Sequence, residues 1–333
     1  MYIKNNKISK KHHYIPQFFL KSFAIKEGKK YIINVFDKQN LNKFTNSVDN
    51  IGYIKNFHTI KVDGEDSDFI EKAHNEVYER KYSMRYKTIL RKFENIRQDI
   101  NVINCLSNQR YIDIYLNGQI SDSEKIFLSF LLAYFVIRGK KWREFGEESF
   151  KKIEELMRDT GKAYKVDNIE ENIRNEIGVI EGVKYAQLQA TFDGEGIEQF
   201  ANYFYKHIWN IGFNMTDNYF YTSDNVHALT TMWKEQPAWL GVGYTTPGNT
   251  VIFPLSPKIC IIMYDPIYLN NNNINIINND YVKLYDKEVK MINDEIILSS
   301  IDQVYSIDGN WGNLDECYKI NNIKKGHKPY EIH

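Results

Sequence analysis

The sequence predicts an α+β fold: an antiparallel or mixed sheet packed on long central helices, with the N-terminal strands joining a C-terminal sheet. Three observations carry this. Strand-like runs rich in aliphatic and aromatic residues open the chain at 30–37 and 52–60. Two long helical patterns occupy 68–95 and 121–157. After Trp209 the chain returns to short extended runs broken by Pro, Gly and Asn. Residues 1–10 read as a basic arm, 11–305 as one α+β domain or two intimate lobes (sheet-rich 11–66 plus 209–305, helical 67–208), and 306–333 as a polar tail.

The elements follow in order. Lys11 to Ala24 places His12-His13 before a short helix. Pro16 suits that helix's first position, and Phe19, Leu20 and Phe23 make its apolar stripe. Lys30–Asp37 is a strand, with Gly52–Ile60 as its partner or near neighbour and a turn at Gly64–Ser67. Asp68 with Glu71 starts the first long helix, whose apolar face is Phe69, Ala73, Val77, Met84, Ile89 and Phe93. Its Lys and Arg residues are offset by Glu71, Glu76 and Glu79, as on a solvated face. Residues 99–120 read as irregular.

Ser121 and Glu124 form a capping box for the second long helix. This helix is apolar all round from Ile126 to Ile137, so it should be the central buried helix. Gly139 bends it and Thr160-Gly161 ends it. Residues 162–192 carry no clear period. Asp193 to Trp209 is a third helix with Phe200, Phe204, His207 and Ile208 on one face, His207 being a core or rim histidine. A hairpin is expected over 209–222, a long loop with Trp233, Trp239 and Gly243 over 226–249, strands at 250–255 and 258–264, an asparagine-rich turn at 270–279, and a closing helix over 280–305.

Composition excludes several classes. Of 333 residues, 43% are hydrophobic, enough for a core and against global disorder. Aromatic content is 14%, with 24 Tyr and 19 Phe, which suits tyrosine-lined cores and clefts. The 43 basic and 43 acidic residues cancel, so there is no global electrostatic footprint for nucleic acid or an anionic membrane; a local basic groove remains open. The three cysteines, Cys105, Cys260 and Cys317, fit neither a zinc spacing nor a disulfide framework, and imply a reducing cytoplasm. The run Ile126–Ile137 is shorter than the roughly 20 residues a bilayer span needs, and the polar N-terminus lacks the apolar segment of a signal peptide. There is no Walker loop, no dinucleotide glycine fingerprint and no HExxH, so no nucleotide or flavin cofactor is expected.

Three motifs remain: His12-His13 with Pro16-Gln17, Leu20 and Phe23; Ser223-Asp224-Asn225; and Pro254-Leu255-Ser256-Pro257. In this order and spacing, from about Lys11 to about Tyr305, they resemble the uncharacterised family known as domain of unknown function 4238 (DUF4238). One departure is Val226, where the family usually carries Pro. The resemblance implies a shared fold and candidate positions, including arginines near Arg138, and no established reaction.

The residues themselves admit two readings. Adjacent histidines diverge on a strand or a helix, so one would face a pocket while the other is fixed by backbone. A facing His12 or His13 could act as a general base, and the same pair could be a buried polar knot. Asp224 and Asn225 at a strand end could bind a divalent metal or orient the imidazole, and equally could form a turn. Arg138 and Arg143 could clamp a phosphate or pair with carboxylates. Tyr14, Gln17 and Ser223 are candidate substrate contacts. Pro254 to Pro257 reads as structural. This inventory suits a nuclease-like hydrolase of phosphodiesters that meets nucleic acid through a local patch. A role in bacterial defence is expected from the broad type of protein alone, with no residue behind it. The alternative is a non-enzymatic module that recognises a ligand, a protein partner or a second copy, with structural histidines.

Overall fold

The computed structural model describes residues 10–62, 65–103, 120–163, 179–192, 194–232, 242–312 and 314. Residues 1–9 of the basic arm, Gly64, Cys105, the loop residues Trp233 to Gly241, Cys317 and most of the polar tail lie outside the described residues.

The N-terminal third is mostly extended. β1 (Lys11–His13) leads through Pro16 into α1 (Gln17–Leu20) and a tight turn, followed by β2 (Ile25–Glu27), β3 (Lys30–Asp37), β4 (Asn42–Ser47), β5 (Tyr53–Lys55), β6 (Ile60–Val62) and β7 (Glu65–Ser67). Pro16 has extended backbone, φ −58° and ψ 132°, so it caps α1 from outside and the helix begins one residue later than its sequence suggests. The expected pairing of 52–60 with 30–37 is also corrected. β5 pairs with β1, and β3 pairs with β2 and β4. Gly52 explains this: its φ of +61° turns the chain back on the histidine strand, and its carbonyl accepts N–H bonds from Tyr14 and Ile15. Glu65–Ser67 pairs with β6 rather than forming only a turn.

The first helical stretch contains α2 (Phe69–Ala73), a π-helical segment His74–Glu79, and α3 (Arg80–Ile103). Asp68 makes no side-chain cap; it pairs with Lys72 at 2.7 Å. The wide π turns shift the inward face relative to an ideal period. Ile70, His74, Tyr78, Tyr82 and Tyr86, each four apart, turn inward, whereas Phe69, Val77 and Met84 are 60%, 45% and 74% exposed. The helix also runs through 99–103, which the sequence left irregular.

α4 (Asp122–Arg138) carries the expected capping box: Ser121 Oγ accepts from Glu124 N–H, and the Glu124 carboxylate accepts from Ser121 N–H. Its residues are buried around nearly the whole circumference, which makes it the central helix. Gly139 breaks it, and a Cβ there would meet the Phe135 carbonyl at 3.0 Å. α5 (Lys140–Ala163) then continues past Thr160-Gly161, so those residues do not end it. α6 (Val179–Phe192) is a helix the sequence pattern missed, and α7 (Glu195–Lys206) is the third expected helix with tighter bounds.

The C-terminal half carries a mixed sheet in the order β10 (Ala228–Thr231), β11 (Asn249–Ser256), β12 (Ile259–Tyr264), β8 (Ile208–Asn214), β13 (Asp280–Leu284), with only the β13–β8 pair parallel. The 250–264 strands form a hairpin, as expected, with a register shift between Pro254 and Ser256 where the proline interrupts the ladder. The expected 209–222 hairpin does not form, because β9 (Thr222–Ser223) pairs with β14 (Gln303–Ser306). Nor is 280–305 one helix. It holds β13, α9 (Asp286–Ser299) and β14; a short helix, α8 (Pro266–Asn271), precedes it. The helical period of Val289, Ile292 and Ile296 covers only its middle. β14 pairs with β3, so the N-terminal strands do join a C-terminal one, in the order β2, β3, β14, β9 with β4 on β3. Trp311 and Leu314, in the expected tail, are buried against α9 and Phe36. Among the described residues no helix is long and apolar enough to cross a membrane.

Candidate functional site: a cavity beside a buried polar knot

Phe19 is the hub between the elements. Its ring lies 5.1 Å from Phe135 on α4, 5.9 Å from Phe253 on β11 and 6.1 Å from Tyr86 on α3. The Tyr86 hydroxyl donates to the Leu255 carbonyl. The histidine motif and the Pro254–Pro257 motif therefore meet in the core, as packing.

The histidine rings form the first of two polar regions. His12 is fully buried, and its Nδ1 accepts the His58 N–H at 2.8 Å. The two rings stack at 5.8 Å, and His58 lies 4.8 Å from the His74 ring. His58 Nε2 is 3.9 Å from Glu71 Oε2, and Arg138 Nη2 is 3.6 Å from the same oxygen. Arg138, also fully buried, reaches Glu79 at 2.7 Å and donates to the Tyr134 hydroxyl. Burial pushes His58 and His74 well below the usual imidazole range, and the Arg138 charge adds to this. Burial also raises Glu71 to about 7, against the pull of Arg138. His13 points elsewhere, 3.2 Å from the Gln17 amide, and burial lowers it to about 4. Arg143 donates to the Phe57 carbonyl and the Gln187 amide oxygen. Both arginines thus face internal partners, and Gln17 faces His13, although Nε and Nη2 of Arg138 have no hydrogen-bond partner among the described residues.

Ser223-Asp224-Asn225 forms a clamp. The Asp224 carboxylate is buried and accepts backbone N–H bonds from Ile301 (2.8 Å), Asp302 (2.6 Å) and Gln303 (3.0 Å). Burial raises it to about 6 despite those three donors. Asn225 Nδ2 donates to the Ser299 and His227 carbonyls, and Ser223 Oγ donates to the Asn225 carbonyl. The motif fastens the end of α9 to the start of β14. Among the described residues no group of three or more His, Cys, Asp or Glu side chains is arranged to hold a metal ion. Both oxygens of Asp224, the expected ligand, already accept backbone bonds.

The second polar region is a cavity of about 320 Å³. Tyr14 and Ile15, which follow the histidines, form one wall; Asp224 to His227 form another. Gly139 to Trp142 at the α4–α5 break, with Phe135, Phe200, Leu229 and Tyr244, close it. The first two motifs therefore converge here, through Tyr14 and the Asp224 loop rather than through the imidazoles. Burial raises the Tyr14 hydroxyl, and Asp224 adds to this.

The family described as a protein of unknown function, DUF4238, matches residues 11–310. The chain belongs to the DUF4238 family. No curated protein and no solved structure matches this DUF4238 chain.

Two polar residues of the cavity escaped the sequence reading. Lys141 is partly buried on its wall, and no described residue lies within hydrogen-bond or ion-pair distance of its amine. Burial lowers it to about 8; Asp224 and Glu144 favour its charge and Lys38 opposes it. Lys140, beside it, is engaged by Asp302 and Glu144, and Lys38 by the Ser300 and Ile297 carbonyls. His227 is buried, with Nε2 2.8 Å from the Tyr244 hydroxyl and no partner for Nδ1 among the described residues. Burial lowers its ring to about 3, so it is neutral. His58 and His74 in the knot were likewise missed, and Glu71, expected on a solvated helix face, is instead buried against Arg138 and His58. The only sequence signals were single polar residues beside motifs: Lys141 after the Gly139 break and His227 three residues past Asp224.

Proposed function

We propose that this chain is a ligand-recognition module whose cavity takes a small, largely apolar molecule. The cavity between the α4–α5 break, Tyr14 and the Asp224 loop carries this reading. Its volume, about 320 Å³, lies within the range of small-molecule sites, and its walls are mostly aromatic and aliphatic with a few polar groups. His12 of the first motif supports it from behind. It sits in a buried network that fixes the strand from which Tyr14 emerges.

Phosphodiester hydrolysis with His12 or His13 as base draws little support from this geometry. His12 already accepts a backbone N–H, and Asp224 turns its carboxylate to β14.

The test is ligand-observed NMR with a panel of neutral aromatic fragments on wild type and on Leu229→Trp, which fills the cavity from a half-buried position. Saturable binding abolished by the substitution is expected. Equal binding by both proteins, or none by wild type, overturns the reading.

A further inference from the structure

We infer that the ligand of this cavity carries a carboxylate, held by the Lys141 ammonium. This rests on the cavity reading and names the chemical class that would fill it.

Lys141 is the first ground. An ammonium half-removed from water needs a counter-charge or hydrogen-bond acceptors. The neighbouring carboxylates attract it only through space. Asp224 is held by three backbone donors, and Glu144 pairs with Lys140. Lys141 lines a cavity whose walls are mostly apolar, including Phe135, Trp142 and Leu229.

The rest of the wall is the second ground. It is mostly aromatic and aliphatic, and its other polar groups are engaged or sealed. Lys140 pairs with Asp302 and Glu144, and the Asn225 amide donates to the Ser299 and His227 carbonyls. His227 Nε2 meets the Tyr244 hydroxyl at 2.8 Å, and its Nδ1, though unpartnered among the described residues, has no surface open to the cavity.

One cation on a mostly apolar wall matches a monoanion. A phosphate dianion would leave charge and acceptors unpaired among apolar walls. The ligand class is therefore an amphipathic carboxylic acid, its apolar body against the aromatic wall and its head at Lys141.

The experiment titrates the full chain near neutral pH with acid–amide pairs, phenylalkanoates and their primary amides with one to four methylenes, read by calorimetry. The acid should bind about tenfold or more tighter than its amide, the scale of one charge-assisted hydrogen bond. Lys141→Met should remove that preference, and Leu229→Trp should block both ligands. Equal affinity of acid and amide for wild type, or an acid preference that survives Lys141→Met, overturns the carboxylate inference while leaving the cavity reading intact. If no acid or amide binds, or if Leu229→Trp binds like wild type, the cavity reading fails and this inference fails with it.

Discussion

The knot around His12 and the cavity around Lys141 use the same residue types and spend them differently. In the knot, Arg138 meets Glu79 and Tyr134, His12 meets the His58 backbone, and His74 meets Tyr134. The knot also seals in four atoms without a hydrogen-bond partner among the described residues: His58 Nε2, Glu71 Oε2, and Nε and Nη2 of Arg138. At the cavity, the Lys141 amine has no described partner and lines open volume. Polar groups sealed against one another organise a fold, whereas a charge left beside open volume can recognise something. The first region should therefore answer to mutation through stability and the second through binding.

The sharpest break of this contrast is Arg138→Met. Removing one member of a buried ionic network leaves Glu79 and Glu71 without their counter-charge, which costs on the order of 3–5 kcal/mol. Chemical denaturation should show that loss, and a variant that unfolds like wild type would remove the structural reading of the knot.

Next is Glu71→Gln followed across pH. Burial raises the folded carboxyl from 4.5 to about 7. The folded state thus binds the extra proton between those values. The stability due to this group is complete below the unfolded value and declines as pH rises through the folded one. Gln mimics the neutral acid. The variant should match wild type near pH 4.5 and surpass it above pH 7, by on the order of 3 kcal/mol at full shift. His58 and His74, lowered by burial, act in the opposite sense on both proteins, so the difference between the two curves isolates Glu71. Parallel curves would mean that Glu71 keeps its charge.

The sequence showed the parts of this contrast that local chemistry dictates. The capping box at Ser121, the all-apolar turns of α4 and the hairpin around Pro254 each depend on neighbours a few residues away. The π-helical turn at His74 did not show, because it rotates the inward face from Phe69 to Ile70 without any local marker. The β9–β14 pairing joins residues some eighty positions apart, so 280–305 looked like one helix although only its middle is. The site divided in the same way. His12 and Asp224 stood out as motif residues, and both proved to be bound to backbone. Lys141 stands out only for the partner it lacks, a property of three dimensions.

A smaller effect sharpens the comparison by exchange. His12→Ala strips the buried His58 N–H of its acceptor and should cost about 1–3 kcal/mol. His12→Asn, whose Oδ1 can replace Nδ1 as acceptor, should recover part of that loss. Lys141→Met removes an amine whose charge burial disfavours, so its thermal midpoint should not fall. If instead Lys141→Met unfolds early and His12→Ala stays stable, the two regions have been assigned the wrong way round.

The smallest expected effect belongs to His13, which sits between the regions. It is half-buried, touches Gln17 and Tyr53, and lies outside the stacked His12–His58–His74 series. His13→Ala should change stability by less than about 1 kcal/mol, since a half-buried side chain with one modest hydrogen bond is lost. It should also leave binding at the cavity unchanged, because His13 does not line it. This makes His13 the point at which recognition and hydrolysis part. Its ring, lowered to about 4, is in the neutral form a general base needs, but a base that weak transfers a proton poorly near neutrality. A nuclease assay on single- and double-stranded substrates with divalent metal, comparing wild type with folded His13→Ala, should find no activity that depends on this residue. Activity present in wild type and lost in the folded variant would move the chemistry back to the histidine motif and make the cavity its accessory.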